Sequence, residues 1–557
     1  MQRTAFLFWL VGALLYGCGG GGGGGGAGTP TPSPSPDPGG QPDPAPDPVA
    51  LVPPVDPSER FSGGAAGTAS TNERAFGQAP PAVASDFELD ANFKSGNSLF
   101  RGVQDGVGPL LNARTCQGCH TRDGRGALPQ LPDVPLDTMS IRLSTGIDDG
   151  AVIPDDMYGA VLHTFGLDSF GGDGIEAGLS AFGEGSGSAI GEGFATIEYE
   201  TVVDSFADGV TYELRRPIYK VRELSYGDFD SGILFSPRLA PSVFGSGLLE
   251  VIPEAEIREL ADPEDADGDG ISGRAATVFD QTVGTQRLGR FGLKASVASL
   301  LQQTALAYRN DSGATSRYVT DEACGSQQIS CQQAALAEPN EAVGGVDIAD
   351  IELALVELYV RLLAVPDRRG FDEEAQAFAP EILAGRIHFF EAGCGGCHRY
   401  SFTTGEAEGS VLGDVSLSTL MQPASPISVL SEQQIFPYTD LLLHDMGGAC
   451  PPISQEFEDG TPCGSGQNCT WVQRCTGLAD GRPEGDATGT EWRTPPLWGI
   501  GLVTTVNPNA TFLHDGRART IEEAVLWHGG EASAARAAYK SLDLQGRDEL
   551  LAFLESL

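Results

Sequence analysis

The sequence is poor in basic residues, in histidine and in long apolar runs. Its 34 lysine and arginine residues face 76 aspartate and glutamate residues, so the formal net charge is −42 at pH 7. An acidic chain of this kind disfavours nucleic acid and anionic lipid surfaces, and we expect neither as a partner. Only seven histidines are present, which restricts the number of imidazole-based metal sites. The apolar run of residues 4–15 is too short to cross a bilayer as a mature helix.

That apolar run has the features of an export signal. Arg3 precedes it, and Leu15-Tyr16-Gly17-Cys18 ends it with a small residue before a cysteine, as in a lipobox. We predict a cleaved signal peptide over residues 1–17 and a lipid on Cys18, against the alternative of an ordinary signal peptide with an unrelated cysteine. Glycine and proline repeats with almost no large apolar residues follow, and they predict a disordered tether over residues 18–60. The protein is therefore expected in the cell envelope, either periplasmic or anchored to the outer membrane.

Eleven cysteines in an exported chain should each be bonded to something. One is Cys18, and four lie in the two motifs described next. The other six form two local clusters: Cys324 and Cys331, then Cys450, Cys463, Cys469 and Cys475. The first cluster predicts one short-loop disulfide. The second predicts two disulfides, whose pairing the sequence leaves open.

Two Cys-x-x-Cys-His motifs are the strongest chemical signal: Cys116, Cys119 and His120, and Cys394, Cys397 and His398. In this pattern both thiols can form thioethers with haem vinyl groups, and the adjacent imidazole becomes the proximal ligand of the iron. A zinc site or a redox dithiol has similar spacing, but thioether attachment belongs to the exported compartment and free dithiols fare poorly there. The motifs therefore predict two covalently attached c-type haems.

The sixth ligands decide what such haems do, and one histidine is a good candidate. His528 ends a stripe with helical spacing that follows a predicted capping box at Thr520; the stripe consists of Ile521, Ala524 and Val525. His528 would ligate one iron, against the alternative of a core histidine bonded to the backbone. After the first motif, three residues lack a convincing helical face: Met139, Met157 and His163. An open iron is therefore expected there, where hydrogen peroxide or another small substrate would bind.

Three aspartates at alternate positions, Asp265, Asp267 and Asp269, precede Gly270 as at the start of a calcium-binding loop. The twelfth position is Ala276 instead of a bidentate glutamate, which excludes a complete EF-hand. A partial, dockerin-like calcium site and a solvated acidic turn both remain open.

The secondary-structure pattern repeats once along the chain, because each haem motif follows a helix-like stretch. Residues 380–391 have helical apolar spacing with glycine at 385, which suits close packing on another helix. Residues 87–100 are a weaker version, broken by glycines at 96 and 102. Apolar and polar residues alternate around Asp208-Gly209, which predicts a β-hairpin. We expect a mainly α protein with two cytochrome c-like domains, residues 61–365 and 366–557, with a β-hairpin and loop-rich insertion in the first.

From about Ser98 to Leu557 the sequence resembles the bacterial di-haem oxidoreductases, a family described as peroxidases or thiol oxidoreductases. The strings that carry the resemblance occur in family order and include GPLLNARTCQGCHTRDGRG, SPRLAPSVFGSGLLE, PYTDLLLHDMG, EWRTPPLWGIG and FLHDGRARTIEEAVLWHGGEA. The family is related to the di-haem cytochrome c peroxidases and to the methylamine-utilisation di-haem enzymes.

The resemblance implies roles for individual residues. In the peroxidase relatives a segment like that around His514 leads into a helix with the distal ligand of the C-terminal haem. The matching position is His528, where those relatives have methionine or tyrosine, and bis-histidine ligation lowers a haem potential relative to His/Met ligation. Glu250 is expected near the open N-terminal haem as general acid or base, and His514 is the second catalytic candidate.

The resemblance also shows departures from the family pattern. Leu293 stands where the family has tryptophan, and residues 247–250 lack the tryptophan that the relatives place between their haems. Arg290 and Lys294 are candidates for pairing with haem propionates, with solvated surface charge as the alternative.

These observations predict an exported di-haem oxidoreductase. The C-terminal haem would relay electrons, and the N-terminal haem would react, with peroxide as the expected oxidant. The acidic chain suits a basic redox partner, such as a small cytochrome or a cupredoxin. A non-enzymatic electron carrier and a di-haem oxidase or oxygenase of an organic substrate are the alternatives.

Overall fold

The computed structural model describes residues 52–103, 108–129, 134–136, 138–148, 151–166, 189–337, 345–407, 427–464 and 466–557. The predicted signal peptide, Cys18 and the tether up to residue 51 lie outside the described residues. No helix within the described ranges is long and apolar enough to cross a membrane. The division into segments 61–365 and 366–557 stays a prediction.

The expectation of a mainly α protein is wrong. Of the described residues, 30% are helical and 22% lie in strands of many small sheets, so the fold is mixed α/β. Most of the strands are only two to four residues long. Segments that short show no recognisable alternation of apolar and polar residues, so the sequence pattern does not reveal them.

Among the described residues, seven α-helices have at least nine residues, and the others are single turns or short helices. The α-helices are α1 (Pro81–Ser85), α2 (Phe87–Arg101), α3 (Cys116–Cys119), α4 (Ser246–Glu250), α5 (Glu254–Arg258), α6 (Leu300–Ser312), α7 (Ile329–Ala337), α8 (Asp350–Arg361), α9 (Pro380–Glu391), α10 (Val503–Val506), α11 (Ile521–Trp527), α12 (Ser533–Ser541) and α13 (Leu544–Ser556).

The strands, in chain order, are β1 (Gly67–Thr68), β2 (Leu110–Leu111), β3 (Met139–Ser144), β4 (Gly146–Asp148), β5 (Ala151–Ile153), β6 (Val161–Leu162), β7 (Phe165–Gly166), β8 (Phe194–Ser205), β9 (Thr211–Arg222), β10 (Leu234–Leu239), β11 (Thr277–Asp280), β12 (Thr285–Leu288), β13 (Val365–Pro366), β14 (Phe371–Asp372), β15 (Ala377–Phe378), β16 (Phe402–Thr403), β17 (Gln434–Ile435), β18 (Leu443–Asp445), β19 (Gly448–Ala449), β20 (Ser454–Glu456), β21 (Thr470–Gln473), β22 (Thr476–Gly477) and β23 (Glu491–Arg493). The larger sheets have the strand orders β20-β21-β9-β8 and β10-β3-β6, and the remaining sheets are strand pairs.

Each haem motif is preceded by a helix that crosses a second helix at a glycine. α2 crosses α8 at Gly96, where a Cβ atom would lie 2.1 Å from the Leu355 carbonyl oxygen. α9 crosses α13 at Gly385, where a Cβ atom would lie 1.8 Å from the Glu549 carbonyl oxygen. Gly385 therefore has the close-packing role that the sequence predicted. The predicted break at Gly96 is wrong, because the residue lies inside a continuous helix and lets the two backbones approach.

The predicted β-hairpin is present and joins the two halves of the chain. β8 and β9 pair antiparallel over their full length, and β9 also pairs with β21 from the C-terminal half. At the turn, Ala207 N donates to the Lys540 carbonyl oxygen at 3.0 Å, and Arg547 forms an ion pair with Asp208 at 2.9 Å. The hairpin thus supports α12 and α13 at the end of the chain.

Three disulfides are present among the described residues: Cys324–Cys331, Cys450–Cys475 and Cys463–Cys469. The first is the predicted short-loop bond. The other two supply the pairing that the sequence left open in the second cluster.

The folded part begins before the predicted end of the tether. Glu59 is 0% exposed, and its carboxylate pairs with Arg368 at 2.9 Å and with Arg386 at 2.8 Å. It also accepts a hydrogen bond from the Tyr438 hydroxyl at 3.1 Å. The assignment of residues 52–60 to a disordered tether is therefore wrong. The sequence around Glu59 does not show that its ion-pair partners lie far along the chain.

Candidate functional site

Both Cys-x-x-Cys-His motifs line one continuous cavity of about 1690 Å³. A site for one drug-sized ligand measures about 300–1000 Å³, so this cavity is larger than one such group needs. Its wall is formed by α3, α6, the loop after β10, strands β18 and β23, and the helical segment that ends at His528. The structure therefore brings together two motifs that are far apart in the sequence.

The first motif presents a histidine with a defined tautomer. Cys116 to Cys119 form the single turn α3, which Thr115 caps by accepting a hydrogen bond from Gly118 N at 2.9 Å. His120 donates from Nδ1 to the Pro241 carbonyl oxygen at 2.7 Å. Because a carbonyl only accepts, this bond leaves the lone pair on Nε2 for a ligand. Burial lowers the pKa of His120, so the imidazole is neutral.

The C-terminal motif repeats this arrangement. Cys394 to Gly396 form a 3₁₀ turn, and His398 donates from Nδ1 to the Tyr438 carbonyl oxygen at 2.9 Å. Burial lowers the pKa of His398 to about 4. Its Nε2 is thus also left for a ligand, as in the first motif.

His528 lies on the same cavity wall, directly after α11. Thr520 caps this helix by accepting a hydrogen bond from Glu523 N at 3.1 Å. The Glu523 side chain accepts from Arg519 N at 2.7 Å, so it does not close the predicted capping box. His528 donates from Nδ1 to the Ala524 carbonyl oxygen at 2.7 Å. Its Nε2 is therefore left for a ligand, as in both motif histidines.

The four motif cysteines lie outside the disulfides that the other six described cysteines form. In the part of the chain that the structure describes, sets of three metal-ligating side chains occur at Cys397, Asp440 and His444 and at residues 265–269, and none includes the first motif.

A family model described as "Di-haem oxidoreductase, putative peroxidase" matches residues 61–462 and 471–557. The chain belongs to the di-haem oxidoreductase family. Family membership implies two haems, and the cavity with two Cys-x-x-Cys-His motifs is the place that the structure offers for them.

Other comparisons add little to the family assignment. A structure of hydrazine synthase from Kuenenia stuttgartiensis, pressurised with xenon, is 16% identical, with a TM-score of 0.21. The similarity covers 42% of this chain and 63% of that chain, so this chain spans less than two thirds of its neighbour's length. No curated protein matches the chain.

The cavity wall of this di-haem oxidoreductase fits haem by its donor set as well as its size. Several polar atoms on the wall are buried without a hydrogen-bond partner among the described residues: Arg142 Nε, Arg482 Nε, Gln281 Nε2, Ser140 Oγ and Tyr308 Oη. Buried polar groups in native proteins are almost always hydrogen-bonded. These atoms are inaccessible from the cavity, so the fit to haem rests instead on the donors of the wall: two cysteines and a histidine with an unblocked Nε2 at each motif.

Glu250 stabilises the surrounding structure and does not line the cavity. Its carboxylate pairs with Arg361 at 2.6 Å and accepts from Leu300 N at 2.7 Å. The acid–base role therefore stays a prediction that the geometry does not support.

The prediction that Arg290 and Lys294 contact propionates or solvent is wrong. Arg290 is 1% exposed and donates to the carbonyl oxygens of Leu249, Glu250 and Ile252 at 2.6–2.9 Å. Lys294 is fully buried and pairs with Asp480 at 2.9 Å. Neither side chain lines the cavity; both hold surrounding loops together.

His163 is removed as a sixth ligand of the N-terminal haem. Its Nδ1 is 3.1 Å from Glu192 Oε2, and its Nε2 donates to the Asn310 carbonyl oxygen at 3.1 Å. Both ring nitrogens thus have protein partners, and His163 does not line the cavity. Of the two predicted methionines, Met139 lines the cavity and Met157 does not.

His514 does line the cavity, where it stacks on Trp492 with ring centroids 3.8 Å apart. Sequence reasoning missed this tryptophan and also His444, whose ring nitrogens lie 2.8 Å from Asp440 Oδ2 and 2.8 Å from Glu531 Oε2. His444 occurs in PYTDLLLHDMG and Trp492 in EWRTPPLWGIG. These strings carried the family resemblance, and they were the available signal for both residues.

The three aspartates of the predicted calcium loop come together. Oxygen atoms of Asp265, Asp267 and Asp269 lie within 4.8 Å of one another. Asp269 also lines the haem cavity. Asp265 accepts from Gly270 N at 3.1 Å, and Asp269 accepts from Ile271 N at 2.8 Å, as in an acidic turn. The calcium site therefore stays a prediction.

Proposed function

We propose that this member of the di-haem oxidoreductase family is an exported c-type di-haem enzyme that passes electrons from its C-terminal to its N-terminal haem and reduces hydrogen peroxide at the latter. The observation that supports this best is the shared cavity, in which each motif presents a neutral histidine with its Nε2 unblocked. Haem, when bound, supplies the one-electron redox chemistry.

The residues of the two motifs have separate tasks in this proposal. Cys116 and Cys119 hold the N-terminal haem through thioethers, and Cys394 and Cys397 hold the C-terminal haem. The carbonyls that accept from both proximal histidines fix the rings and raise their basicity as ligands. Such second contacts restrict rotation of the imidazoles, so each ligand is oriented before the cofactor is attached.

The two motifs differ in the histidines available as a second ligand. His528 is oriented by the backbone and lines the cavity with the C-terminal motif, so it would be the second ligand of an electron-relaying haem there. The N-terminal site has no histidine of this kind among the predicted candidates, because both nitrogens of His163 are bonded. An open position there suits a small substrate such as peroxide.

Location and partner are further parts of the proposal. Three disulfides are typical of an oxidising, exported compartment. We place the protein in the cell envelope as a lipoprotein anchored through Cys18, and a Cys18→Ser variant should then leave the membrane fraction. The net charge of −42 favours a basic redox partner, a small cytochrome or a cupredoxin.

EPR and optical spectroscopy of the purified holoprotein, oxidised and half-reduced, with and without hydrogen peroxide, tests the function. A high-spin ferric component that peroxide consumes is the expected result. Two low-spin haems that ignore peroxide in every redox state would make the protein an electron carrier instead.

Variants of His528 connect the spectra to the structure. His528→Ala should change the low-spin signature of one haem and leave the other unchanged. His388→Ala is the matched control, since His388 contacts Glu549 at 3.1 Å and does not line the cavity. Unchanged spectra in both variants would remove His528 as a ligand.

A further inference from the structure

A stacked pair of aromatic rings lies in the wall of the cavity that both motifs line. Trp492 and His514 have ring centroids 3.8 Å apart and an interplanar angle of 17°. Trp492 is 7% exposed, and the side chain of His514 is also 7% exposed. The indole is fixed in place, because its Nε1 donates to the Leu478 carbonyl oxygen at 2.8 Å. The pair is therefore a rigid and buried element of the cavity wall.

Contacts continue from Trp492 to the C-terminal motif. Trp492 lies directly opposite His444 in the antiparallel pair of β18 and β23. Side chains of opposite residues project from the same face, with Cβ atoms about 4.5–5.5 Å apart. His444 Nδ1 lies 3.6 Å from Cys397 Sγ, the sulfur that would carry the C-terminal haem.

Contacts continue from His514 to the N-terminal motif as well. The His514 carbonyl oxygen accepts a hydrogen bond from Leu239 N at 2.8 Å. Pro241, two residues further along the chain, accepts at its carbonyl oxygen from His120 Nδ1 at 2.7 Å. Two hydrogen bonds and a short stretch of backbone thus join His514 to the proximal histidine of this site.

We propose that the Trp492–His514 pair is the bridge through which single electrons pass between the two haem sites, an inference that rests on the proposed function. One electron leaves the C-terminal site, which is oxidised by one electron, and enters the N-terminal site, which is reduced by one. The bridge is neither oxidised nor reduced at the end of the step.

A cation–π contact also fixes the indole in the wall. The Lys294 ammonium, which pairs with Asp480 at 2.9 Å, lies 4.5 Å from the centroid of the Trp492 ring.

Pulse radiolysis of the holoprotein tests the bridge, with absorbance used to follow electron redistribution between the haems after one electron is injected. Trp492→Leu should retain both haems with unchanged spectra but show a several-fold loss of the transfer rate. His514→Leu should also slow transfer, and it serves as the second variant if Trp492→Leu fails to fold. Trp492→Phe keeps an aromatic ring, so its transfer rate should fall less than that of Trp492→Leu.

Trp471→Leu is the matched control. Trp471 is 7% exposed and packs on Phe229 in a core outside the cavity, so its replacement should leave the rate unchanged. A wild-type transfer rate in both Trp492→Leu and His514→Leu would refute the bridge. Trp498 also lines the cavity, and a loss of transfer rate found only in Trp498→Leu would refute the bridge as well. A wild-type protein that holds fewer than two haems, or that shows no transfer, would instead contradict the proposed function.

Discussion

Replacing Gly385 by alanine should destabilise the C-terminal haem site through the crossing of α9 and α13. The added Cβ atom would lie 1.8 Å from the Glu549 carbonyl oxygen and 2.9 Å from Phe553 Cβ. The nearest atom belongs to a helix backbone, so no side-chain rotation relieves the contact and the two helices must separate. α9 runs directly into Cys394, and we therefore expect the displacement to reach the haem attachment site.

The expected loss of unfolding free energy in Gly385→Ala is the difference between two opposing effects. Overpacking of a close core contact destabilises by about 3 kcal/mol at the upper end of its usual range. Alanine is a better helix former than glycine by about 1 kcal/mol. The net loss should be about 2 kcal/mol, measured by chemical denaturation, with a lower yield of haem on the C-terminal motif.

Gly546→Ala in α13 is the matched control. Its Cβ atom would meet neighbours at 3.4 Å or more, which is ordinary van der Waals contact. Alanine there should leave stability unchanged or raise it by up to about 1 kcal/mol. A Gly385→Ala variant as stable as wild type would refute the argument that a backbone contact sets the helix crossing.

Two further predictions concern buried carboxylates. Glu59→Gln should lower stability by about 3–5 kcal/mol in chemical denaturation, because it leaves the buried Arg368 and Arg386 without their carboxylate. The control is Glu373→Gln, since Glu373 forms an exposed ion pair with Arg60 and should change stability little. Equal effects of the two variants would contradict this. Burial raises the pKa of Glu322 from 4.5 to about 8. Since the folded pKa is the higher one, its stabilising contribution is complete below 4.5 and is lost as pH rises through 8. Glu322→Gln should flatten unfolding free energy against pH in that window, and identical pH curves would exclude the effect.

Local chemistry was predictable from the sequence because its signals are short. The two motifs, the helix before the second motif and the β-hairpin all depend on residues within about one turn or one strand of each other. The orientation of His528 into the cavity followed from its helical spacing. Gly385 was predictable for the same reason, since a lone glycine in a helix usually marks a close contact.

Long-range pairing was not predictable in the same way. The arginines that pair with Glu59 lie more than 300 residues away along the chain. The sequence near Glu59 contains no feature that predicts this pairing. Trp492 and His444 meet because two three-residue strands pair, and strands of that length have no periodicity to detect. The mainly α expectation failed for this reason, because it counted the long helices and missed the short strands between them.

The misassigned cations show how a loop-rich cavity wall is held together. Regular helices and strands satisfy their own carbonyls, but loops do not, and buried carbonyls need donors. Arg125, Arg215, Arg290 and Lys294 each donate to two or more backbone carbonyls of loops or turns near the cavity. The guanidinium and ammonium groups thus supply these carbonyls with the hydrogen bonds that regular secondary structure would have provided, and this is why four cations of a chain with only 34 basic residues lie against its loops.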